Sequence, residues 1–180
     1  MKSKHLKKIV LSGVLLALGM VLPLLTAQVK EIGDTLLPMH LPVLLCGLVC
    51  GWQYGGVVGL VLPFLRSLVF GMPPLYPNAV WMACELAAYG LAIGLLYRII
   101  RVRGRVYLSL IGAQVAGRLV WGAVKALLLG VTETPFPISA FLLGGFVDAF
   151  PGILLQILLI PPLFLLLERS ASLPQDKKGS

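Results

Sequence analysis

Apolar residues run through this chain in long blocks separated by short polar breaks. The blocks cover residues 9–27, 39–52, 55–71, 79–100, 107–129 and 138–167. A helix needs about 20 apolar residues to cross a bilayer core. The pattern therefore predicts an all-α integral membrane protein with six transmembrane helices. The breaks fall where a helix cannot easily continue: residues 28–38, with Gly33 and Pro38; a tight turn at Gln53 and Tyr54; Gly71-Met72-Pro73-Pro74; the arginine-rich turn after residue 100; and residues 130–137. Pro151, Pro161 and Pro162 are expected to kink the sixth helix. Residues 1–8 read as a basic N-terminus, 9–168 as a single membrane domain and 169–180 as a polar tail, which leaves no room for a second, soluble domain.

Composition agrees with the pattern. Hydrophobic residues make up 58% of the 180 and charged residues 12%, with mean hydropathy +0.96, whereas a soluble domain is about a quarter charged. Lys2, Lys4, Lys7 and Lys8 ahead of the first apolar run also resemble the start of a signal peptide. The length of that run, and Leu25 two residues before the candidate cleavage point Ala27, favour a retained helix.

Charge then orients the chain. With six helices and the N-terminus in the cytoplasm, the cytoplasmic segments hold the four N-terminal lysines, Arg98, Arg101, Arg103 and Arg105, and Arg169, Lys177 and Lys178: eleven of the fifteen basic residues. The outer loops hold only Lys30. Both termini are thus expected on the cytoplasmic side of the membrane. Topology accounts for the net charge of +8, and no nucleic-acid partner is implied.

The polar residues inside the apolar runs are not scattered. Gln114, Arg118, Trp121 and Lys125 stand at i, i+4, i+7 and i+11, one stripe of the fifth helix. The fourth helix carries a similar stripe of Asn78, Trp81 or Met82, Glu85 and Tyr89, and the sixth one of Phe141, Gly145, Asp148, Gly152 and Gln156. At a rise of about 1.5 Å per residue, Glu85 lies about 10 Å, Asp148 about 15 Å and Arg118 about 16 Å below the outer boundary. Charges at that depth need partners, so Arg118 is expected to pair with Glu85 or Asp148, among aromatic walls from Trp81, Tyr89 and Trp121. Apolar walls with a few convergent polar groups are the usual form of a small-molecule site. The bland alternative is an ion-pair network that only locks helices together. Three cations within the spans, Arg66, Arg118 and Lys125, outnumber Glu85 and Asp148. That excess favours a ligand with one carboxylate, which Lys125 is placed to meet. His40, opening the second helix, is a further candidate contact; His5 belongs to the basic tail.

Other chemistry is not visible. The sequence has no HExxH, GxSxG, Walker A or Cys/His metal spacing, so neither an enzyme nor a cofactor or metal site is expected. Cys46, Cys50 and Cys84 sit in apolar runs as small packing residues. Without an ATP site, active transport must draw on a partner or an ion gradient.

The chain resembles, over residues 6–167, a substrate-binding S component of an energy-coupling factor (ECF) vitamin transporter. The resemblance rests on Gly13 and Ala17 in the first helix, Met39-His40-Leu41-Pro42-Val43-Leu44-Leu45-Cys46-Gly47, Gly71-Met72-Pro73-Pro74 and Asp148-Ala149-Phe150-Pro151-Gly152. It implies a vitamin bound near the outer face by helices four to six and the outer loops. It also implies a membrane coupling subunit, with two ATPases, docking on a small-residue strip of helix one. Here Gly13 stands where the family has an alanine. The chain looks most like pantothenate-type members; pyridoxine, hydroxymethylpyrimidine and riboflavin remain open. The rival class is a stand-alone ion-coupled carrier with Glu85 and Asp148 as coupling acids.

Overall fold

The computed structural model describes residues 2–25, 37–131 and 137–169, and these are helical almost throughout. In chain order they form α1 (Lys2–Leu25), α2 (His40–Val49), α3 (Trp52–Phe70), α4 (Val80–Ile99), α5 (Arg105–Val131), α6 (Ile138–Leu142) and α7 (Phe150–Arg169). The last two are joined through a π-turn, Leu143–Val147, and make one span; a second π-turn, Leu75–Ala79, leads into α4. Among the described residues, five stretches are long and apolar enough to cross a membrane, and α2 is a shorter sixth helix. The six-helix expectation holds, with four local corrections. Helix α1 begins inside the basic stretch. The turn between α2 and α3 falls at Gly51, whose φ of 103° is open to glycine, so Gln53 and Tyr54 lie in the first turn of α3. Helix α5 extends through Gly130. Finally, Pro151 lies in the first turn of α7, where its missing N–H costs no bond, and α7 remains helical through Pro161 and Pro162. The expected outer loops at residues 28–38 and 130–137 fall largely outside the described residues.

Helix α2 is the hub. Its 10 residues extend about 15 Å, half a bilayer core, and Pro42 to Val49 are buried without interruption. An all-round apolar helix of this kind belongs in a core, and α1, α3, α4 and α7 surround it. Glycines let α2, α3 and α4 meet backbone to backbone. A Cβ on Gly55 would stand 2.6 Å from the Gly47 Cα and 2.8 Å from the Gly90 carbonyl oxygen; one on Gly90 would overlap the Gly55 carbonyl. With little hydrophobic drive between helices in lipid, close contact between small residues is what holds them. Helix α5 packs on α4, and α7 closes against α2 and α5. Helix α1 turns Ser12, Leu15 and Gly19 inward, while Val10, Gly13, Val14, Ala17, Leu18 and Val21 face outward.

Candidate functional site

The polar stripes of α4 and α5 face each other. Glu85, 2% exposed, forms an ion pair with Arg118, whose Nη1 lies 3.0 Å from Oε1. Its Oε1 also lies 3.3 Å from Nε2 of His40, the first residue of α2. The His40 ring meets Tyr89 edge-on, with centroids 5.0 Å apart. Tyr89 in turn lies against α5 at Gly117, where a Cβ would stand 2.6 Å from the ring. A carboxylate, a guanidinium, an imidazole and a phenol from three helices are thus packed together in a lipid-depth interior. An ion pair there needs close geometry to offset its desolvation. The pairing foreseen for Arg118 is made with Glu85.

Toward the C-terminal end of α5, Trp121 and Lys125 continue its stripe. Lys125 Nζ stands 4.6 Å from the Trp121 ring centroid and 5.3 Å from that of Trp81, so α4 and α5 hold the ammonium between two indoles. Phe141 stacks on Trp121 at 6.2 Å and meets Phe146 edge-on at 5.8 Å. Asn78 sits half-buried in the π-turn above Trp81. In the other direction, one turn below Arg118, Gln114 Nε2 donates to Gln156 Oε1 of α7.

The cluster is under-bonded. Arg118 Nε and Nη2, His40 Nδ1, Tyr89 Oη, Gln114 Oε1 and Gln156 Nε2 are buried with no hydrogen-bond partner among the described residues. Each such group costs about 1–3 kcal/mol if it stays unmet. Arg118 is the most telling: Nη1 holds Glu85, and the two atoms left over form the side edge of the guanidinium, the edge that takes a carboxylate through two parallel bonds.

A family model for the ECF transporter substrate-specific component matches residues 7–164. The chain belongs to this family. No curated protein and no solved structure matches it. The S component is therefore a multi-pass membrane protein, the substrate-binding subunit of an ECF importer rather than an enzyme, and its family implies association with a membrane coupling subunit and ATPases.

Two residues expected in the S-component cluster lie elsewhere. Asp148 is exposed, in the turn between the π-turn and α7. Its N–H bonds to the Leu143 carbonyl, an i to i+5 closure. A π-turn inserts an extra residue and rotates whatever follows by roughly 100°, so the stripe written at helical spacing loses phase at Asp148. Arg66 is buried, but between α3 and α1: Nη1 donates to the Met20 carbonyl at 2.7 Å, and the guanidinium lies 5.4 Å from the Phe70 ring centroid. It joins helices and does not face Glu85. Gln156 is the polar residue passed over as a candidate, although it stands on the α7 stripe; its burial at 1% and its bond to Gln114 are what single it out. His5, exposed, reaches Tyr54 Oη at 3.4 Å.

Proposed function

We propose that this S component captures a small water-soluble vitamin bearing a carboxylate, with pantothenate the best candidate, near the outer face of a bacterial plasma membrane, both of its termini being cytoplasmic. The reading rests on Arg118. Its Nε–Nη2 edge is buried without a partner among the described residues, while Glu85 already balances its charge. Such an edge favours a planar anion over a neutral ring edge. Lys125, between Trp81 and Trp121, is on the route a carboxylate would take inward; His40 and Tyr89 form the wall behind Glu85, and Asn78 the rim. The resemblance to pantothenate-type members selects among the carboxylate vitamins. With Arg66 and Asp148 outside the cluster, the case no longer depends on counting all the charges in the spans. Gly13 and Ala17, outward-facing on α1 with open space around Gly13, are the proposed contact for the coupling subunit.

The test is a binding screen of the purified protein against pantothenate, pyridoxine, hydroxymethylpyrimidine, riboflavin, thiamine, biotin and folate, repeated with Arg118→Lys. Lysine keeps the charge and loses the two-pronged edge. Tight binding of a carboxylate vitamin that weakens in Arg118→Lys supports the reading; tight binding of a neutral or cationic vitamin refutes it.

A further inference from the structure

The cluster around Arg118 accounts for one end of a ligand. The deeper polar pair has a different chemistry. Gln114 on α5 and Gln156 on α7 are 5% and 1% exposed, and both are neutral. Once Gln114 Nε2 has donated to Gln156 Oε1, two atoms of the pair remain wholly unbonded, the acceptor Gln114 Oε1 and the donor Gln156 Nε2, each buried and unmatched among the described residues. Two amides closed into a reciprocal pair would engage all four of their polar atoms. A single bond that leaves one oxygen and one nitrogen unengaged is instead the complement of a group that offers both a donor and an acceptor.

We propose that Gln114 and Gln156 form a neutral subsite that reads an amide of the ligand. Gln156 Nε2 donates to the amide carbonyl and Gln114 Oε1 accepts from its N–H. Gln114 lies four residues from Arg118 on the same stripe, a rise of about 6 Å. A carboxylate on the Arg118 edge and an amide on this subsite are then separated by the reach of a spacer of two or three carbons. The ligand class that follows is a short ω-amido carboxylic acid. This rests on the carboxylate reading above and adds a requirement to it: an uncharged N–H beside a carbonyl, at a fixed distance from the anion.

The experiment compares pantothenate with its ester analogue, in which oxygen replaces the amide nitrogen while the carboxylate and carbonyl stay. Losing the N–H strands Gln114 Oε1, so the unaltered protein should bind the ester roughly tenfold or more weakly. Gln114→Met should flatten that ratio toward one by weakening the amide ligand alone. Gln156→Met should weaken amide and ester alike, because both offer the carbonyl. Equal binding of amide and ester by the unaltered protein overturns the subsite even if neither variant folds, and it would assign the spare atoms to ordered water. Pantothenate binding that needs Arg118 but ignores the ester change would sink this proposal and leave the carboxylate reading standing. Tightest binding of a vitamin lacking an amide would sink both.

Discussion

Removing one partner of the Glu85–Arg118 pair should harm the fold more than removing both. The two side chains are 3.0 Å apart and each is 3% exposed. Arg118→Met leaves a carboxylate beside His40 with no cation in contact; Glu85→Met leaves a guanidinium among Tyr89, Trp121 and α2. Stranding a charge in such surroundings costs about 3–5 kcal/mol, whereas replacing a whole buried pair by apolar residues of similar volume is often neutral. Methionine fits either cavity because it is unbranched and adaptable. The double variant Glu85→Met/Arg118→Met should therefore be more stable than either single variant, with a coupling of about 2–3 kcal/mol. The assay is SDS unfolding of the purified protein followed by the fluorescence of Trp52, Trp81 and Trp121, and each of the four proteins is also titrated with pantothenate. Ligand binding should be lost with Arg118→Met and stay lost in the double variant, so stability and affinity part company. Two single costs that simply add in the double variant, or singles below about 1 kcal/mol, would refute the pair as a buried, mutually dependent unit.

Lys125→Met should weaken a carboxylate vitamin by roughly tenfold to a hundredfold, the worth of one charge-assisted hydrogen bond, and leave a neutral ligand little changed in the same titration. Gly13→Trp or Ala17→Trp should stop uptake by the assembled transporter while the isolated subunit still binds its vitamin; lost binding with assembly intact would place the pair inside the fold. A cysteine at Thr132 should react with an impermeant thiol reagent from outside and one at Ser172 should not, both positions lying beyond the described residues; the reverse pattern would invert the orientation. Gly90→Ala should cost several kcal/mol in SDS unfolding, because the new methyl meets the Gly55 backbone rather than a side chain that can move.

Where a stripe follows unbroken α-helix, the sequence located its residues well. Gln114, Arg118, Trp121 and Lys125 stay in phase because α5 is regular, and Glu85 and Tyr89 follow for the same reason in α4. Spacing also gave the common depth that brings Glu85 to Arg118. It could not reveal the π-turn ahead of Asp148, since an i to i+5 closure leaves no mark among Leu143 to Val147 that distinguishes it from ordinary helix. Nor could it say which neighbour Arg66 meets: helical phase defines a face, while the choice between α1 and α4 is made by tertiary packing. Gln156 was in view on its stripe but unremarkable until its bond to Gln114 was known. His40 gained its significance from its burial at the start of α2, with its ring 3.3 Å from Glu85, a neighbour that only tertiary packing supplies.

The glycine contacts among α2, α3 and α4 also set where this protein can deform. A joint between two backbones has no rotamers to change and no slack to take up, so these three helices behave as a stiff plate. The seam between that plate and α5 and α7 is made differently, from Tyr89 lying on Gly117 and Tyr97 against Phe164. Those side chains can swing while their helices shift by an ångström or two. Breathing that admits a substrate, or releases one, should thus be concentrated along this seam, and the plate supplies the fixed wall against which it occurs.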